Sequence, residues 1–125
     1  MISYETYKVV HLLGVLLLFF SLGGVALHAL NGGTRQGNVG RKLVAALHGA
    51  GTLVILVGGF GMLARLEIMH GLALPGWIWA KVTIWLILGS LVYLPYRKPQ
   101  FARPAFVAVP LLGALAAYFA IYKPF

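Results

Sequence analysis

Cysteine is absent from this sequence, and acidic residues nearly so: Glu5 and Glu67 are the only two in 125 residues. Without thiols the chain forms no disulfide, thiolate nucleophile, iron–sulfur cluster or Cys-ligated zinc site. Charge of both signs is scarce, at 10% of residues against about 25% in a soluble domain. That leaves too few ionic groups to cover a water-facing surface, and a soluble globular fold is excluded. Carboxylates are missing from every apolar run, which removes proton-coupled antiport by a membrane-embedded glutamate. No Walker loop or dinucleotide fingerprint occurs, since Gly58-Gly59-Phe60-Gly61 lies inside an apolar stretch with no preceding strand and reads as packing. Ser21, Thr52, Thr83 and Ser90 have no acid–base partners around them, so hydrolysis is not expected.

What remains is a membrane composition: 61% apolar residues and a mean hydropathy of +0.91. Ten Lys and Arg give a net charge of +8, but they stand singly between apolar runs and form no basic face for nucleic acid. Four runs, Val9–Leu30, Leu43–Ala64, Trp77–Leu94 and Ala105–Tyr122, each approach the ~20 residues that cross ~30 Å of hydrocarbon. They are continuously apolar, not alternating, and about twice the length of a barrel strand. The expected fold is all-α: a single domain over residues 1–125, a polytopic membrane protein with four transmembrane helices in an antiparallel up-down bundle. Turn formers at 31–38, Leu74-Pro75-Gly76 and the three prolines of 95–104 separate the runs. The first run is too long for a signal-peptide core and no Ala-x-Ala site follows it, so cleavage is not expected.

Arg35, Arg41 and Lys42 in the first loop and Arg97, Lys98 and Arg103 in the third place six cations at one end. The other end holds Lys8, Arg65 and Lys123 with both glutamates. The positive-inside rule then predicts cytoplasmic first and third loops, with both termini outside a bacterial inner membrane. The lipid bilayer is the first expected partner; other membrane subunits or further copies of the chain are the second.

Ionisable groups at membrane depth carry the most information, because each costs ~2.5–3.5 kcal/mol unless it meets a partner, water or a ligand. Four qualify: His11, His28, His48 and Lys81. Steps of three and four from His11 pass Gly14, Leu18, Ser21 and Val25 to His28, a seam that a bundle turns inward. His28 and His48 fall near the inner end of their helices, and His11 and Lys81 share a level near the outer end. Imidazole on facing helices is a common way to hold b-type haem, so His11, His28 and His48 are candidate haem b ligands, with His11 and His48 as iron ligands. Lys81 has two readings, an interface anchor whose ammonium snorkels outward or an inward partner for an anionic group. The many small residues, including Ala45 with Gly49 and Gly113 with Ala117, likewise read as close helix packing or as a groove for a flat cofactor.

Two strings carry a resemblance. Tyr7-Lys8-Val9-Val10-His11-Leu12-Leu13-Gly14 and Pro75-Gly76-Trp77-Ile78-Trp79-Ala80-Lys81-Val82 resemble the Lys-x-x-His and Gly-Trp-x-x-x-Lys strings of the HemJ-type protoporphyrinogen oxidases. More distantly, the chain looks like the SirB-type and CopD-type small helical membrane proteins. The resemblance implies a haem ligand at His11, a catalytic companion at Lys81, and electron transfer or tetrapyrrole oxidation. Two other readings stay open: a non-catalytic subunit of a larger membrane complex, with structural histidines, and copper handling by Met62, Met69, His70 and His11, whose soft and imidazole donors suit Cu(I).

Overall fold

The computed structural model describes residues 2–67 and 73–125. Most of these are helical, with no strand among the described residues. Helix α1 (Tyr4–Leu30) starts about a turn before the apolar run because Ser3 caps it, accepting from the Thr6 N–H at 3.2 Å, with Glu5 in the first turn where the helix dipole favours an anion. Helix α2 (Arg41–Leu66) ends at Glu67 in the left-handed conformation. Helix α3 covers Gly76–Ser90, α4 is the single turn Leu94–Arg97, a 3-10 turn covers Pro99–Phe101, and α5 runs from Ala102 to Tyr122.

Helices α1 and α2 and the segment Pro99–Tyr122 are long and apolar enough to cross a membrane, whereas α3 is shorter. Its 15 residues rise ~22 Å, against ~30 Å of hydrocarbon. The apolar run was expected to stay helical to Leu94, but the helix stops at Ser90. Pro95 lacks the N–H that would bond the Leu91 carbonyl, and its ring collides with that carbonyl in a continuous helix. Ser90 Oγ also donates to the Ile87 carbonyl at 2.8 Å, competing with the ladder.

The core gathers on α1. Leu18 and Val25 are fully buried and pack with Leu22 against Ile84, Leu88 and Val92 from the α3 region and Val109 from α5. Helix α2 lies antiparallel along most of α1, brought close by glycine. A Cβ at Gly58 would lie 2.6 Å from the His11 backbone nitrogen, and one at Gly51 would lie 2.7 Å from that of Leu18. Helix α5 touches both α1 and α3, with the Phe19 ring seated on Gly113. Gly49 faces open space and Ala45 is exposed, so that small-residue pair points outward.

Helices α2 and α3 hardly meet. Trp85 Nε1 donates to the Thr52 carbonyl at 3.0 Å, and Gly89 lies against the Thr52 methyl. Among the described residues the four long helices therefore follow the order α2, α1, α5, α3, with few contacts between α3 and α2.

At one end, Asn38 Nδ2 donates to the Tyr96 hydroxyl at 2.7 Å and Arg35 lies 5.5 Å from the Tyr93 ring centre, joining the first and third loops. At the other end, the Lys123 ammonium lies 5.3 Å from the Trp77 ring centre.

Candidate functional site

The side of the bundle between α2 and α3 leads into a cavity of about 410 Å³, within the ~300–1,000 Å³ of small-molecule sites. All four long helices line it. Its floor is Leu18, Phe19 and Leu88; its walls include Val15, Ile55, Leu56, Ile84 and Trp85; its mouth holds Tyr4, Lys8, Trp77 and Lys123. Between mouth and floor stand His11 and Lys81. The lining is mostly apolar, and its polar groups gather toward the mouth.

His11 is half-buried at the α1/α2 contact, and its Nδ1 lies 2.8 Å from the Ile55 carbonyl oxygen. A carbonyl only accepts, so Nδ1 carries the hydrogen and donates it, and in the neutral imidazole Nε2 keeps its lone pair. This is how metal-binding imidazoles are commonly oriented: one nitrogen tied to a carbonyl, the other presented to the metal. The ring is held on a second side by Gly59, where a Cβ would lie 3.4 Å from its Nδ1 and Cε1.

Lys81 lies one turn below Trp77 on α3, half-buried in the cavity wall, and Trp85 follows one turn further in. Trp77, Lys81 and Trp85 thus form one stripe facing the cavity, as their spacing of four predicts. Lys81 and His11 line the same cavity. Lys8 and Lys123, both exposed, complete a set of three ammonium groups around the mouth. Neither Glu5 nor Glu67 lines the cavity.

The remaining candidates stand elsewhere. His28 Nε2 is 2.8 Å from the Thr34 carbonyl oxygen and its ring meets Tyr96 edge-on, so it clamps the first loop. His48 lies seven residues into α2, ~10 Å along the axis, where its buried Nε2 has no hydrogen-bond partner in good geometry. His28 and His48 therefore do not share a site, and neither lines the cavity. Met62 does line it, together with His11; Met69 and His70 lie outside the described residues. Among the described residues no three His, Asp or Glu side chains form a metal-binding group.

Spacing alone placed His11 and Lys81 at one level, but it missed three contributors. Lys8 was legible as the residue three before His11, on the same helix face. The Ile55 carbonyl is a backbone group with no sequence signal, and Lys123, which the charge pattern put at the same end as Lys8, reaches the mouth because α5 returns to Trp77.

No protein-family model, curated protein or solved structure matches this chain.

Proposed function

We propose that this protein is an integral membrane haem protein of the HemJ-like kind, a four-span antiparallel bundle holding haem b in the cavity beside His11 and serving electron transfer or tetrapyrrole oxidation. The orientation of His11 carries the reading: its Nδ1 hydrogen is committed to the Ile55 carbonyl, which leaves the Nε2 lone pair available to a metal. The surroundings fit a haem. Apolar walls suit the macrocycle, and three lysines around the mouth suit its propionates. When bound, the iron supplies one-electron chemistry.

The residues of the chain do the rest. His11 would hold the iron, Lys81 would pair with a carboxylate near it, and Leu18, Phe19 and Leu88 close the floor and exclude water from that side. The four-span topology counts α3 together with the turn after Ser90 and α4, so that Trp77 and Tyr96 mark opposite interfaces.

The deciding experiment is the absorption spectrum of gently purified protein from haem-replete cells. A Soret band lost in His11→Ala, with membrane insertion unchanged, supports the reading. A colourless wild-type protein rejects it.

A second reading is favoured by one observation. Ala45 and Gly49 are exposed on α2, offering a small-residue surface of the kind that docks another membrane helix. A subunit of a larger assembly would use that face, and its mass in native lipid would exceed that of one chain.

A further inference from the structure

Lysines line the cavity and its mouth, and neither glutamate does. Lys81 stands inside the cavity, Lys123 is held over the Trp77 ring and Lys8 is exposed beside them. Each ammonium repels the others, and Lys81 sits in a wall of low polarity, where an unpaired charge is costly. An anion entering the cavity relieves both penalties.

The route of entry follows from the packing. Helices α2 and α3 meet around Thr52, Trp85 and Gly89, and toward the mouth the cavity lies between them, lined by Leu56, Met62 and Leu66 on one side and Ile78, Lys81 and Val82 on the other. Among the described residues the cavity thus opens sideways, where acyl chains would lie. From Lys8 to Phe19 its α1 wall extends ~16 Å, a long shape with the cations at one end. Lipid tails are as apolar as these walls, so moving a tail from bilayer to cavity gains little. Selection falls on the head group: the cations favour an anionic one, and a cavity of about 410 Å³ suits a single acyl chain with a small carboxylate head.

We propose that long-chain fatty acids of the leaflet on the Lys123 side enter this cavity between α2 and α3, with the carboxylate on Lys81 and the chain directed toward Leu18 and Leu88. This goes beyond the haem reading: it rests on the cavity and its lysines, and needs neither His11 nor iron. Where haem also binds, the two compete for one space.

The chain's own tryptophans provide the test. Trp77 and Trp85 line the cavity while Trp79 is exposed, so full-length Trp79→Phe protein in nanodiscs, taken from the fraction without Soret absorbance, is titrated with dibromostearic acid and with its methyl ester. Bromine quenches tryptophan at short range. The acid should quench saturably at a concentration at least tenfold below the ester. Lys81→Met should erase that preference and Lys81→Arg should keep most of it, while Ala117→Phe, which fills the cavity from α5, should lower quenching by both. Equal quenching by acid and ester, or an acid preference untouched in Lys81→Met, overturns the proposal. Colourless protein with a Lys81-dependent acid preference rejects haem and leaves the proposal standing; a His11-dependent Soret band without acid preference does the reverse.

Discussion

His11 and Ile55 are joined across the α1/α2 contact, imidazole Nδ1 to carbonyl oxygen at 2.8 Å. The bond ties the one histidine that lines the cavity among the described residues to the backbone of the neighbouring helix, and its geometry depends on how closely that helix approaches. The approach is set by Gly58, which faces the His11 backbone itself. Ring orientation and helix packing are therefore one feature of the fold.

Replacing His11 separates the two roles of its ring. Cross-helix hydrogen bonds inside membranes contribute ~0.6 kcal/mol on average, so His11→Ala should lower unfolding stability by about that amount with its lost packing added. The Soret absorbance, by contrast, should vanish. Paired unfolding and absorption measurements check this. A variant that keeps its full Soret band removes His11 as the ligand.

Gly58→Ala and Gly49→Ala should differ sharply. At Gly58 the added methyl meets the His11 backbone, and at Gly49 it meets nothing within 4 Å. Overpacking typically costs ~1–3 kcal/mol, and because backbone cannot swing aside as a side chain can, Gly58→Ala should fall in that range and shift any haem spectrum. Gly49→Ala should leave the stability of the isolated chain unchanged, or raise it slightly through helix propensity. Reversible unfolding in mixed micelles reads both.

Sequence carried the helices well because hydrocarbon demands continuous apolar runs, and α1, α2 and α5 met that demand. It misjudged the end of α3, because residues 90–94 look uniformly apolar apart from Ser90 and the breaking residue, Pro95, acts four residues back on Leu91. Small-residue spacing was weaker still as a guide. Helix α2 carries glycines on several faces, and only contact with α1 distinguishes Gly51 and Gly58, which pack, from Gly49, which does not. Within the candidate site, depth along the helices brought His11 and Lys81 together, whereas His28 and His48 diverged because loop closure onto Thr34 and Tyr96 claims His28.

The absence of cysteine makes topology directly measurable. Single cysteines at Gln36 and Gln100 should react with a membrane-impermeant thiol reagent only after the cells are opened, and one at Phe125 should react on intact cells. The two loop positions should behave alike, because Asn38 and Tyr96 hold the loops together at one end of the bundle. Labelling of all three from the same side rejects the four-span arrangement.

His48 provides the last prediction. Its Nε2 is buried at the α2/α3 contact beside the Leu88 and Gly89 backbone but outside good hydrogen-bond geometry, and a poorly satisfied buried polar group costs up to ~1–3 kcal/mol. An apolar ring of similar breadth removes that cost while keeping contact with the Leu88–Gly89 region of α3. His48→Phe should therefore raise unfolding stability by about 1 kcal/mol, after allowance for imperfect fit. The Trp85–Thr52 bond is made by an indole and a backbone carbonyl, so it survives the change. If His48 instead holds a metal or cofactor at the inner end, the same substitution lowers stability in the loaded protein and removes part of its visible absorbance. Unfolding and spectra of His48→Phe beside His28→Ala tell these apart, since His28→Ala should only loosen the first loop and leave the absorbance of the His11 cavity intact.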